Sequence, residues 1–247
     1  MKYFPPLRTR RLTVQLRELS IGESIKLAAV PVHLTEAACS LLLKYAVETV
    51  SGIEDSANWT VQERILVTAH YLSVVATDGP DFSLGQGKYL DYLDGSLDID
   101  KDFKPLELGS VGGDEWSLTH LTGRMAEAIE RLSGELADMP PRLHWLIGGM
   151  AAQLIIKGEV LPDLDADGSY DEWLLARMKV LAAFPESDFE QLIMFYQVGR
   201  EQLQHLFKID FNDDGVIALP KEAGSELPPA RFPARSCCGR LALELGQ

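Results

Sequence analysis

The sequence predicts a mainly α protein with a small β portion: an α+β chain with a helical body, an N-terminal strand and an extended C-terminal tail. Three observations predict it. Apolar residues recur at spacings of three and four over most of the chain between Leu19 and Phe207. Three Ser/Thr-x-x-Glu phrases mark helix starts, at Ser20 to Glu23, Thr60 to Glu63 and Ser187 to Glu190. Strict alternation is confined to short stretches, of which Leu12, Val14 and Leu16 set against Thr13, Gln15 and Arg17 is the clearest.

Taken in order, residues 12–16 read as a half-buried strand. A helix capped by Ser20 runs to about Val30 and stops before Pro31. Thr35 reads as the N-cap of a second helix that reaches about Val50, with Leu41, Leu42, Tyr45 and Val50 facing the core. A polar loop over 52–58 leads to the helix capped by Thr60. Asp78-Gly79-Pro80 ends it. Residues 81–114 change character: acids alternate with Leu93, Leu97, Ile99 and Phe103, which suggests short strands or a hairpin. The glycines of 109–113 read as a flexible joint. From Asp114 the chain reads helical again, over Leu118–Leu136, Leu143–Ile156, Glu172–Ala183 and Ser187 to about Phe207, with Gly148 and Gly149 permitting close backbone approach. Val216–Leu219 reads as a short strand. Pro220, Pro228, Pro229 and Pro233 suit an extended tail, and alternation at Leu241, Leu243 and Leu245 suggests a terminal strand. Four segments follow: 1–80, strand plus helices; 81–114, an acidic connector; 115–219, a helical domain; and 220–247, a Pro-rich tail that needs a neighbour to become ordered.

Charge is unevenly spread. Lys2, Arg8, Arg10, Arg11 and Arg17 give the first 17 residues +5, and residues 231–247 carry +2. The total of −14 therefore leaves −21 for the rest. An acidic body argues against nucleic-acid binding, which needs clustered Lys and Arg. The basic ends suit docking on acidic surface, of this chain or a neighbour. No apolar run reaches the roughly 18–20 residues that span a bilayer, so no membrane partner is expected. The first residues lack the apolar core of a secretory signal. Cys39, Cys237 and Cys238 match no zinc or disulfide framework.

No residue is assigned a catalytic, cofactor-binding or metal-binding role, and no cofactor is expected. The nearest metal pattern is Asp163 to Asp171, where Asp163, Asp165, Asp167, Gly168 and Asp171 match the opening of an EF-hand loop. Its twelfth position is Leu174 where a bidentate Glu belongs. A second such opening, at Asp210, Asn212, Asp214 and Gly215, has Lys221 there. Both also read as acidic turns. His33, His70, His120, His144 and His205 form no ligand spacing, and no Ser nucleophile elbow or phosphate loop occurs. The four tryptophans read as packing residues.

The N-terminal third resembles the baseplate-hub and tail-assembly proteins of contractile-tailed bacteriophages. The shared features are a basic strand, here Arg11 to Leu16, then a Leu-Ser/Thr-x-x-Glu-x-x-x-Leu-Ala phrase, here Leu19-Ser20 through Glu23 to Leu27-Ala28. A Leu-rich helix follows at Leu41 to Val50, and a later helix is matched by Glu63 to Val67. The resemblance implies a structural or assembly component of a phage tail or baseplate. Such a component acts through protein-protein contacts without catalysis. It implies partners among other tail proteins, several copies in an assembly, and a place in the virion tail after assembly in the host cytoplasm. A calcium-tuned protein-binding module using the Asp163–Asp171 loop is the alternative.

Overall fold

The computed structural model describes residues 2–162 and 169–246. In chain order they form β1 (Leu7–Arg8), β2 (Leu12–Leu16), α1 (Ile21–Ala28), α2 (Thr35–Ala46), β3 (Val47–Gly52), α3 (Val61–Val75), β4 (Ser83–Leu84), β5 (Gly87–Lys88), α4 (Tyr89–Tyr92) and β6 (Leu93–Asp94). Then come β7 (Leu106–Val111), β8 (Asp114–Leu118), α5 (Gly123–Arg131), α6 (Pro141–Gln153), β9 (Leu154–Ile156), α7 (Ser169–Ala182), α8 (Glu186–Gln202), β10 (Leu206–Asn212), β11 (Gly215–Leu219) and α9 (Arg240–Leu245). The sheets are β1-β2-β3, β11-β10-β6, β4-β5 and β7-β8-β9. Two compact units divide the chain. One holds 1–101, 205–210 and 216–247, and the other holds 102–204 and 211–215.

This corrects the mainly α expectation. Among the described residues 44% are helical and 20% lie in strands of several small sheets, a mixed α and β architecture. The error has a physical source. α2, α4 and α6 each pass into a strand with no intervening residue. An apolar periodicity that begins helical therefore carries straight into strand, and reading it as helix takes in Val47–Val50 of β3 and the whole of Leu154–Ile156. In Val47-Glu48-Thr49-Val50, β-branched residues favour extended backbone, and pairing with β2 fixes it. The glycines of 109–113 are no hinge. Gly112 and Gly113 have φ of +63° and +92° and close the hairpin of β7 and β8, a turn that requires such angles at both centres.

The C-terminal tail is corrected too. Ala234–Cys237 forms a 3₁₀ turn, and Arg240–Leu245 is a helix where a strand was expected. Ala234, Cys237, Cys238 and Ala242 are buried. The segment packs on α1, α2 and α3, and the Cys238 thiol donates to the Ser24 carbonyl at 3.3 Å. It is ordered by its own chain. The basic N-terminus likewise docks on its own acids. Arg10 donates its backbone N–H to Asp98 (2.7 Å) and its guanidinium to Asp100 (2.5 Å), and Arg17 binds Glu23 at 2.6 Å.

In the first unit the core gathers Phe4, Leu27, Leu42, Leu43, Trp59, Tyr92 and Phe207. In the second, Leu118, Ile129, Met150 and Tyr196 are fully buried. Gly148 and Gly149 are needed there. A Cβ at Gly148 would lie 2.6 Å from Ile129, and one at Gly149 would lie 2.7 Å from the Tyr196 hydroxyl.

Each unit contains the same plan: two antiparallel strands, two helices, then a strand that returns to pair with the second. It runs β1-β2-α1-α2-β3 in one and β7-β8-α5-α6-β9 in the other. The junctions agree residue by residue. Leu16 and Leu118 end the central strands, buried Leu19 and Leu121 follow three residues on, and Ser20 and Thr122 cap the next helix. In both, the residue after the strand donates its N–H to the last helical carbonyl, Arg17 to Ala46 (2.8 Å) and Thr119 to Gln153 (3.0 Å). Leu16 then pairs with Val47, and Leu118 with Leu154.

Candidate functional site

The polar residues that most resemble chemical machinery lie at the start of α3. Thr60 caps the helix by accepting from the Glu63 N–H (3.1 Å), and the Glu63 carboxylate accepts from the Thr60 N–H (2.8 Å). His205 Nε2 lies 2.9 Å from the Thr60 hydroxyl, and Arg11 stands 3.5 Å from Glu63. A hydroxyl beside an imidazole is the pairing a nucleophile needs. Here Thr60 is 1% exposed, Glu63 0% and His205 3%, so no substrate reaches them. The cluster ties residue 205 to residue 60. Leu206 sits in the left-handed region (φ +58°), with the Phe207 N–H donating to the His205 carbonyl at 2.5 Å. That strained turn is held by the Leu206 N–H bond to Leu97 (2.8 Å).

A second buried group follows on α3. Arg64 donates to the Glu36 carbonyl (3.0 Å) and the Ser40 hydroxyl (2.9 Å), with the Glu36 carboxylate 3.6 Å away. Cys39 lies 3.7 Å from Thr68, and burial pushes its thiol pKa up.

Of the two acidic loops, the second is a turn, and the described end of the first lies in α7. Asp163–Gly168 lie outside the described residues. Asp171, the ninth position of that pattern, accepts two hydrogen bonds from Arg131, both at 2.9 Å, so a guanidinium holds the carboxylate a cation would need. The segment from Asp210 is the β10–β11 hairpin. Asn212 accepts from the Asp214 N–H at 3.0 Å and Gly215 has φ +119°. Extended strands on either side cannot wrap an ion as a twelve-residue calcium loop does. Among the described residues no group of three or more His, Cys, Asp or Glu is placed to hold a metal. Three of the histidines meet separate partners. His70 meets the Pro5 carbonyl (2.7 Å), His144 meets that of Ile129 (2.8 Å), and His120 stacks edge-on against Phe103. Trp59 and Trp116 donate to the carbonyls of Ile53 (2.8 Å) and Val111 (3.2 Å), and Trp145 stacks on Phe211.

The surface offers a different kind of site. In the first unit, an open groove of about 660 Å³ runs along the C-terminal segment, between Glu18, Tyr71 and Asp78 on one side and Cys237, Cys238 and Leu241 on the other. A second hollow of about 300 Å³, lined by Val32, Leu34, Ala38, Arg235 and Leu243, lies along the same segment. Burial raises the Tyr71 pKa to about 12 and pushes the Cys237 thiol well up, so neither presents an anion at neutral pH. Apolar side chains stand in solvent nearby: Ile21 at 53%, Val32 at 75%, and Leu241 and Leu245 at 59% and 58%. Leu241 and Leu245 share a face of α9, four residues apart. In the second unit Met194 (53%) and Val198 (55%) repeat that spacing on α8. The sequence held this signal, because spacing of four at 241 and 245 is helical as well as alternating. Comparison with protein-family models, with curated proteins and with solved structures finds no match to this chain.

Proposed function

We propose that this chain is a structural or assembly component of a contractile phage tail or baseplate, acting through contacts with other tail proteins and present in several copies. The observation that carries the contact reading is the pair of exposed leucines, Leu241 and Leu245, beside the groove formed by the folded C-terminal segment. Exposed apolar side chains in a row beside a concavity are what a protein interface uses. The phage-tail part rests on the N-terminal resemblance. Of its quoted residues, Leu12–Leu16 form a strand, Ser20 caps a helix and Leu41–Ala46 lie in a helix, while Val47–Val50 lie in β3.

The double variant Leu241→Asp, Leu245→Asp tests the contact reading. Both positions face solvent, so the monomer is expected to keep its circular dichroism and melting temperature. Its co-elution with tail proteins from the same particle is expected to fall at least about tenfold, the loss of roughly 1.4 kcal/mol or more. Undiminished co-elution would count against it.

A further inference from the structure

The repeated β-β-α-α-β plan supplies a comparison inside one molecule, because the third strand lies at a sheet edge in both copies. In the second copy that edge is closed. Thr119 donates to Gln153, and Lys157 to Glu115 (2.9 Å), so residues 153, 155 and 157 turn their backbone groups toward β8. Leu154 and Ile156 therefore turn theirs away from it. Both are taken up by side chains: Arg177 donates to the Leu154 carbonyl at 2.8 Å, and the Ile156 N–H donates to Glu159 at 3.1 Å. Arg177 and Glu159 pair with each other, with side chains only 10% and 20% exposed. This ion pair plugs the edge.

The equivalent strand β3 has no plug. Among the described residues, the backbone of Glu48–Gly52 is paired only with β2. Glu48, Thr49, Ser51 and Gly52 are exposed, and Val47 and Val50 are half-buried although they belong to the core-side register. The strand is six residues long, rich in β-branched side chains and free of Pro and Lys; a bulge and a charge both fall at Glu48, near its start, and leave Thr49, Val50 and Ser51 without such a device.

We infer that the β3 edge is a docking strand for a second copy of this chain, joining two β1-β2-β3 sheets into one antiparallel sheet of six strands. The occupant follows from self-complementarity. Antiparallel pairing centred on Val50 sets Val50 opposite its copy, Thr49 opposite Ser51, and Glu48 opposite Gly52. β-branched and hydroxyl residues meet their own kind, and no carboxylate faces another. The inference deepens the multi-copy part of the proposed function, but it is read on the isolated chain. Loss of tail partners and loss of self-association are therefore distinguishable.

The test is sedimentation velocity of the full-length protein. Wild type is expected to dimerise reversibly. The variant Thr49→Lys, Ser51→Lys sets lysines opposite lysines and is expected to weaken the dimer at least about tenfold. Both positions are exposed, and an unchanged circular dichroism spectrum would show that the fold survives. A Val50→Cys variant treated with oxidised glutathione should form an intermolecular disulfide, the two thiols losing their protons as glutathione is reduced. A wild type that stays monomeric at millimolar concentration, or a double-lysine variant that dimerises as wild type does, overturns the inference.

Discussion

Glu23 and Glu63 occupy the same position in the same capping phrase and carry opposite electrostatic consequences. Glu23 lies at the surface, where a hydrogen bond from Arg17 and the Ser20 N–H hold its pKa down at about 2. Its contribution to stability is present above the ordinary value of 4.5 and is lost as pH falls toward 2. Glu63 is fully buried, and burial raises its pKa despite the Thr60 N–H and Arg11. Its neutral form is favoured, so the associated stability is present below 4.5 and is lost as pH rises through the raised value. Glu23→Gln is expected to cost about 0.5–1 kcal/mol at neutral pH, fading in acid. Glu63→Gln, which can still cap, is expected to gain on wild type by about 1 kcal/mol as pH rises from acid to neutral. Thermal melts across pH check both, and parallel pH profiles for the two variants would contradict the burial argument. Both boxes were legible in the sequence. Burial, which sets the sign, was not, because Arg11 and His205 come from distant parts of the chain.

At the scale of elements, legibility followed the range of the deciding interaction. The strand at Leu12–Leu16, the helices capped at Ser20 and Thr60, and the tight approach at Gly148 and Gly149 are encoded locally and stand where the sequence put them. β3 and β9 were lost because each takes its identity from a partner strand more than thirty residues away. The Ser187 phrase misled: α8 begins at Glu186 after Pro185, with no side-chain cap. The tail was misread because prolines at 228, 229 and 233 dominate its composition, while what orders it is contact with α1, α2 and α3. Deleting residues 233–247 is accordingly expected to destabilise the body. Uncovering Ala234, Cys237, Cys238 and Ala242 should cost on the order of 3–5 kcal/mol and lower the melting temperature by many degrees. A truncated chain that melts where the intact one does would show that the segment is not part of the core.

For the whole molecule, the duplicated plan was invisible in sequence because its two copies share only a Leu-x-x-Leu-Ser/Thr phrase, at Leu16 to Ser20 and Leu118 to Thr122. Their difference matters more than their likeness. One copy closes its sheet edge with Arg177 and Glu159 and the other leaves it open, while apolar side chains stand exposed on α8 and α9. The buried Thr60, Glu63 and His205 serve internal bonds. The most direct measurement is electron microscopy of particles produced with and without this chain. The account expects tails that are missing or arrested when the chain is absent, restored by wild type and poorly by the Leu241→Asp, Leu245→Asp variant. Normal, full-length contractile tails in its absence would contradict it.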